Sequence, residues 1–460
     1  MTEHEFDVVV IGGGPAGEVC VGALGEAELD VALVESHLIG GECSYYACMP
    51  SKALLRPGEL LAEAKRVPGV SEAVTGEIDV KSALARRYEV IHDLDDSGQI
   101  PWLEKRDVRL FRGEGRLEAE KRVVVGDDVL TARRAVVLST GSAAAMPPID
   151  GLTDAKPWNN RDVTTTKRAP ASMVVLGGGP VGSEMANAWT AFGTDVTLIE
   201  GSDHLLSRDE PFAGEMVAEA LREHGADVRT GTKAESVRRE SGEVIVELSD
   251  GDSVRGEEIL VAVGRKPRSE GLGLESVGVE PNEHGYVEVD DQLRVGGRDW
   301  LYAIGDLNGR VLLTHMGKYQ ARVVAEHVLG NEKVAATEER RGSPHVTFTD
   351  PQVAAVGQTL DAAKEAGIKA RAVDTELANT AWGSFMGKGQ ADRCRFVVDE
   401  ERRILVGATF VGFETVDMLH AATIAVVGEV SLDRLWHAMP SFPTRSEIWL
   451  ELIEEFGPEA

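Results

Sequence analysis

Short apolar runs, rather than long amphipathic stretches, set the pattern of this chain. Two of them run straight into glycines: Asp7 to Gly17 reads DVVVIGGGPAG, and Ser172 to Gly182 reads SMVVLGGGPVG. An apolar run of this kind, running straight into turn residues, predicts a strand. Each is followed by a helix-like stretch and then a second apolar run ending in an acid, VALVE at Glu35 and VTLIE at Glu200. Residues 58–110 predict mainly helices, with a solvated charged face at Arg86, Arg87, Glu89, Asp93, Asp95 and Asp96. A helix is expected over 211–225 and strands over 233–263. Beyond residue 343, strands are expected at 394–398 and 405–410, with helical runs at 414–427 and 445–456. This layout suits an α+β interface domain. No apolar run reaches the roughly 18 residues of a membrane-crossing helix. The acidic start MTEHEFDVVV passes directly into a strand rather than a secretory signal.

The two glycine runs are copies of one unit. Gly12, Gly14 and Gly17 correspond to Gly177, Gly179 and Gly182, and the copies are offset by 165 residues. The last glycine and the acid are 18 residues apart in both. The first glycine permits a tight turn, the second lets backbone approach a pyrophosphate, and the third lets helix pack on strand. The helix N-terminus offers N–H groups to phosphate, and the acid accepts from ribose hydroxyls. One such match is weak evidence, because an ordinary Gly-rich turn looks the same. Two matches, each with its strands and acid, predict two Rossmann-like units and two bound dinucleotides. That pairing suggests an electron relay between a flavin and a nicotinamide. Glu200 favours a free 2′-hydroxyl and repels a 2′-phosphate, and no Arg follows among Gly201, Ser202, Asp203 and His204. NAD(H) is therefore expected in preference to NADP(H).

Composition narrows the partners. A length of 460 residues suggests about three or four structural units. The net charge of −29 opposes binding to nucleic acid or to anionic membranes. Four cysteines in so long a chain do not make a secreted disulfide framework, so a cytoplasmic protein is expected.

Two of those cysteines follow the first acid closely, in Gly40-Gly41-Glu42-Cys43-Ser44-Tyr45-Tyr46-Ala47-Cys48-Met49-Pro50-Ser51-Lys52. They fit a pair of buried inert thiols, or a redox disulfide on one face of a helix start, whose dipole would favour a thiolate. Metal binding fits less well, because no Cys/His cluster follows to complete four ligands, and no metal is expected.

With these motifs together, the whole chain resembles the FAD-dependent pyridine nucleotide–disulfide oxidoreductases. Ser139-Thr140-Gly141, Val261 to Pro267 (VAVGRKP), Leu301 to Asp306 (LYAIGD) and His345 to Gly357 (HVTFTDPQVAAVG) match later motifs of that family. The resemblance implies an α/β fold of two Rossmann-like dinucleotide-binding domains plus a C-terminal α+β dimerisation domain. Its expected segments are 1–150 and 265–341 for FAD, 151–264 for NAD(P), and 342–460 for the interface of a homodimer. It implies an enzyme that passes electrons from NAD(P)H through FAD to a Cys43–Cys48 disulfide and on to a small acceptor. Cys48 would face the flavin, Cys43 would attack the substrate, and Lys52 would sit near flavin N5, paired with Glu184. Gly41, Thr140, Gly141, Gly264, Arg265, Gly305 and Asp306 would join the cofactor-binding set, the Asp on the ribityl chain.

Near the C-terminus the pattern breaks. Family members that reduce disulfides have His-Pro there, with Glu five residues after the His; the His is the acid–base, lent across the dimer, and the Glu orients it. Here the stretch is Ser441-Phe442-Pro443-Thr444-Arg445-Ser446-Glu447, so Phe442 holds the acid–base position and Glu447 remains. His437 lies five residues upstream, and an exposed or capping role suits it better than substitution. Tyr45 and Ala47 replace the usual Asn and Gly between the cysteines; the two tyrosines either pack or place phenols near the flavin. Without the acid, the acceptor expected is one that needs little proton help: a quinone, a metal ion or an activated disulfide. Three alternatives stand beside this one. The chain has a Phe in common with 2-ketopropyl-coenzyme M oxidoreductase/carboxylase, suggesting dithiol-dependent carbanion chemistry. A dihydrolipoamide dehydrogenase-like role follows if His437 substitutes, and a redox-sensing flavoprotein is the non-catalytic reading. Mercury transfer is not expected, because the last cysteine is Cys394.

Overall fold

The structure, a computed structural model, describes residues 1–387 and 392–457. It divides into two compact units. The first comprises residues 1–50, 87–145 and 265–339, and the second 51–86, 146–264 and the chain from 340 onward.

The first unit is built on the strand Thr2–Ile11, whose apolar run is buried on both faces. Val9 and Ile11 enter one core layer and Val8 and Val10 the other. Parallel neighbours Val31–Glu35 and Asp128–Leu138 flank it, and Val108–Arg112 pairs beyond Val31–Glu35. Asp128–Leu138 is long enough to carry two partners. Its first part holds the antiparallel strand Arg122–Val125, and its end holds the parallel strand Leu301–Ala303. The returning chain thus brings Gly305 and Asp306 to the strand-end edge of the same sheet. Helix α1, Pro15–Glu26, and the helix Thr314–Val328 pack together over one face. Cys20 lies fully buried in α1 as a small core residue, its thiol pushed up to about 12 by burial.

The second unit repeats the arrangement. Ser172–Leu176, Asp195–Ile199, Asp227–Arg229 and Glu258–Val261 form a parallel sheet, with the helices Pro180–Ala191 and Pro211–Glu223 between strands. The expected strands over 233–263 include an antiparallel triplet, Ala234–Glu240, Glu243–Leu248 and Ser253–Gly256. The C-terminal part holds a five-stranded antiparallel sheet in the order His345–Thr347, Gln352–Gly357, Ile404–Gly412, Arg393–Asp399, Ala370–Thr375. The helices Leu419–Val427 and Ile448–Phe456 follow it. Cys394 is buried in this sheet.

One expectation fails. Arg87 was placed on a solvated face but is fully buried, with its guanidinium 4.4 Å from the centroid of the Tyr88 ring. Helical spacing reveals which residues share a face, but not which neighbour later covers it.

Candidate functional site

The two glycine units have the same geometry. Gly12 and Gly177 adopt φ of +105° and +104°, a region open to Gly and strained for other residues. A Cβ on Gly17 would lie 1.9 Å from the Gly12 carbonyl oxygen, and one on Gly182 1.8 Å from that of Gly177. The third glycine therefore lets the helix seat on the turn. Gly14 and Gly179 differ: apart from their chain neighbours and their own helix backbone, no described atom lies within 4 Å of where their Cβ would be. Each is the N-cap of its helix without a side-chain cap, so the first-turn amides face open space. Such a cradle suits a pyrophosphate.

Both acids are held by backbone. Glu35 accepts from the N–H of Gly13 and of His37, each at 2.6 Å. Glu200 accepts from Gly178 at 2.6 Å and Ser202 at 2.7 Å. Ionised carboxylates have about four acceptor positions, so each acid is oriented yet keeps capacity for ribose hydroxyls. Lys233, which sequence reasoning missed, packs its stem against Gly201; a Cβ there would lie 3.1 Å from Lys233 Cε. Its signal was invisible because strand pairing, not sequence spacing, brings it there.

In the first unit, Arg265 donates to the hydroxyl and the carbonyl of Ser142, each at 2.9 Å, and the Ser142 hydroxyl donates to Asp306 at 2.5 Å. Thr140 donates to the Arg268 carbonyl at 2.8 Å, and Gly141, at φ +68°, accepts from the Arg268 N–H. Gly264, at φ +152°, precedes this crossing. Gly305, at φ +69°, donates its N–H to Gln320 at 2.7 Å. The expected motifs for closing and re-entry thus meet, with Asp306 oriented by Ser142.

The cysteines do not share one helix face. Cys43 sits in α2, Gly41–Tyr45, and Cys48 opens α3, Cys48–Arg66. Between them Tyr46 leaves helical geometry at φ −134°, ψ −3°. The break turns the two side chains together: the thiols hydrogen-bond to each other, and the Thr314 hydroxyl lies 3.4 Å from Cys48 Sγ. The bond to Cys48 and burial push the Cys43 thiol well above the ordinary range, while Thr314 and Lys318 pull it down. Tyr45 and Tyr46 are both buried and pack with Ile91, Leu38, Tyr88 and Leu94. Tyr46 stacks on His37 and pairs its hydroxyl with the imidazole at 2.9 Å. Packing is therefore their role in this structure.

Lys52 lies one helical turn after Cys48 in α3. Its ammonium donates to both oxygens of Glu184, at 2.9 and 2.8 Å. Glu184 is 5% exposed and also accepts from the Phe348 N–H at 3.0 Å. The ammonium stands 4.6 Å from the centroid of the Phe348 ring. Phe348 was not foreseen. This buried, chelated carboxylate differs from an ordinary surface pair, whose interaction is weak.

Phe442 is 78% exposed, and Met439 and Ile424 are exposed in the same unit. His437 is exposed and packs edge-on against Trp436. Glu447 has a buried Oε2 with no hydrogen-bond partner among the described residues. No group of three or more metal-ligating side chains is found among them, and no described helix is long and apolar enough to cross a membrane.

A fold of two such dinucleotide cradles, a dithiol beside one of them and a C-terminal antiparallel sheet defines a class. Residues 6–326 match the pyridine nucleotide-disulphide oxidoreductase family, and residues 343–453 match that family's dimerisation domain. The chain belongs to this family, in its class I: it is a flavoprotein oxidoreductase, and the dimerisation domain supports a homodimer. The family binds FAD and a pyridine nucleotide. The chain is 30% identical over 462 residues to the dihydrolipoyl dehydrogenase of Haloferax volcanii, covering 97% of this chain and 95% of that protein. It is 28% identical over 451 residues to a mercuric reductase of Staphylococcus aureus, covering 97% and 81%. Two solved structures share the fold. The HOCl-induced flavoprotein disulfide reductase RclA of Escherichia coli, in its Cu(II) complex, has a TM-score of 0.85 at 23% identity, covering 98% of this chain and 99% of that one. LpdA of Mycobacterium tuberculosis has a TM-score of 0.86 at 24% identity, covering 99% and 100%.

Proposed function

We propose that this protein passes electrons from NADH to the Cys43–Cys48 pair and on to a small acceptor that needs little proton transfer. The observation that carries the reading is the Cys43–Cys48–Thr314 cluster, two thiols in mutual contact with one hydroxyl set against them. FAD, when bound, accepts hydride from the nicotinamide and delivers an electron pair to sulfur.

The chain's own residues prepare the rest. Gly12, Gly14, Gly17, Glu35 and Gly41, with Thr140, Gly141, Gly264, Arg265, Gly305 and Asp306, are assigned to FAD; the open face at Gly14 and the anchored Glu35 and Asp306 support this. Gly177, Gly179, Gly182 and Glu200 are assigned to the nicotinamide dinucleotide. The two backbone amides orient the Glu200 carboxyl where a 2′-phosphate would be repelled, which favours NAD(H). Lys52 is assigned as the cation at the flavin N5. Glu184 keeps its ammonium fixed, so the charge needs no reorganisation. The segments 1–150 and 265–341 then serve FAD, 151–264 the nicotinamide, and 342–460 the dimer.

Cys48 is assigned as the sulfur that carries charge and Cys43 as the sulfur that meets the acceptor; the Thr314 hydroxyl lies 3.4 Å from Cys48 Sγ and also bonds the Cys43 thiol. Phe442 cannot transfer a proton, and Glu447 has no imidazole to orient. These facts favour a metal ion or a quinone over an ordinary disulfide.

The test is an anaerobic titration with NADH that counts electrons per FAD. Uptake of about four, with a long-wavelength band that Cys48→Ser removes, is expected for a live dithiol. Uptake of about two with no band would overturn the relay.

A further inference from the structure

We propose that Gln320 and Glu339 are a positioning pair that holds the Gly305–Asp306 turn in the form that binds FAD. The proposal rests on the assignment of that turn to FAD made above. The turn is closely packed on two sides. Gly305 sits at φ +69°, and a Cβ there would lie 3.6 Å from Ala16 Cβ on α1. A Cβ on Gly317, in the helix Thr314–Val328, would lie 3.3 Å from Gly305 Cα. That helix therefore meets the turn backbone to backbone at Gly317. Residues three apart share a helix face, so Gln320, one turn later, reaches the same turn with its side chain.

Gln320 is fully buried, and its amide bonds in both directions. Its Oε1 accepts from the Gly305 N–H at 2.7 Å and from the Asn308 amide at 2.9 Å. Its Nε2 donates to Glu339 Oε1 at 2.7 Å. Asn308 also donates to the Ala303 carbonyl at 3.0 Å and accepts from the Arg310 N–H at 3.0 Å, so the turn is tied at both ends. The other oxygen of Glu339 accepts from Arg310 Nε at 2.7 Å. Arg310 is anchored in turn by Asp291 at 3.1 Å and by the Ala336 carbonyl at 2.8 Å. These partners leave Gln320 one amide orientation, with oxygen toward the two donors and nitrogen toward the carboxylate. A line of hydrogen bonds thus runs from the Arg310–Glu339 ion pair to the backbone of Gly305.

Asp306 follows Gly305 directly, and Ser142 bonds its carboxylate. Rotation of the Gly305 peptide would carry Asp306 with it, so the network sets the aim of Asp306 without itself meeting the cofactor. A buried network of this kind is sensitive to one missing bond, because the group left behind has no water to turn to. The donors and acceptors of the pair can also be exchanged. Gln320→Glu alone sets two carboxylates against each other. Glu339→Gln alone turns an amide nitrogen toward a donor, either Gln320 or Arg310. In the double variant, the new carboxylate at 320 accepts from Gly305, Asn308 and the new amide at 339, whose oxygen still accepts from Arg310. The net charge is then that of the wild type.

The experiment dilutes the holoenzyme in steps and reads free FAD by fluorescence in the ultrafiltrate, which gives Kd; thermal unfolding of the same samples gives Tm. Gln320→Glu and Glu339→Gln should each weaken FAD binding by about 10–100-fold, the equivalent of one hydrogen bond to a charged group. The double variant should return Kd close to the wild-type value. Glu339→Asp, which keeps the charge but draws it back by one methylene, should weaken binding less, and it carries the comparison if the other single variants do not fold. Asp306→Asn is measured alongside. A lower Tm in the single variants with Kd unchanged, beside weaker binding in Asp306→Asn, would make the pair mere scaffold and overturn the proposal alone. No recovery in the double variant would overturn it too. An unchanged Kd in every variant, Asp306→Asn included, overturns the assignment of the turn to FAD as well.

Discussion

Replacing Phe442 with His tests whether a missing acid is what narrows the acceptor range. The cost to the subunit's own stability is small, because the ring is 78% exposed, and exposed substitutions usually stay within about 0.5 kcal/mol. The gain is set by what the imidazole finds. Glu447 keeps a buried Oε2 with no hydrogen-bond partner among the described residues, so an acceptor is already in place. A hydrogen bond to a charged group contributes roughly 1.5–3 kcal/mol, enough to orient the ring and favour its protonated form. General acid–base catalysis adds about 10²–10⁴ in rate, which is about 3–5 kcal/mol of barrier at roughly 1.4 kcal/mol per tenfold. The assay compares NADH-dependent reduction of lipoamide with that of a benzoquinone. Phe442→His should raise the lipoamide rate by about 10²–10⁴ and leave the quinone rate nearly unchanged. Adding Glu447→Gln should reverse most of the gain. An unchanged lipoamide rate, with quinone reduction intact in the same preparation, would refute the reasoning: the block would then lie in the shape of the pocket and not in proton transfer.

Two further outcomes follow from local geometry. Gly182→Ala puts a methyl 1.8 Å from the Gly177 oxygen, so the helix Pro180–Ala191 must withdraw; kcat/KM for NADH should fall on the order of 10²-fold, while FAD content, measured by absorbance, is retained. His345 donates to the buried Asp209 at 2.7 Å, and although burial opposes it, the carboxylate raises the imidazole above its ordinary value. A raised folded-state value means that this stabilisation is complete below about pH 6.5 and is lost as pH rises through the folded value. Asp209→Asn should therefore lower Tm at pH 6 and converge on wild type at high pH; a pH-independent difference would contradict the pairing.

The sequence by itself determined the two dinucleotide units, their acids, the adjacent cysteines and the departure at Phe442. These features are legible because each is short-range. A glycine at positive φ, a strand that runs into a helix and an acid one strand later are constraints on consecutive residues, so the chain repeats them in order. The family resemblance extended that reading to Lys52 with Glu184, 132 residues apart, which no spacing rule would join. Only tertiary structure decided what surrounds these groups. Thr314 reaches Cys48 from 266 residues away, and Phe348 closes on Glu184 from 164. Glu18 stood in plain view after the first glycine motif, yet burial raises its carboxyl to about 7 against the pull of Lys318, which a helix far along the chain supplies. The same cause misled the reading of Arg87, whose charge suggested solvent and whose neighbours removed it. Local sequence specifies backbone conformation and reactive atom types. Burial, charge neighbours and hydrogen-bond partners, which set what those atoms do, arise where distant segments pack.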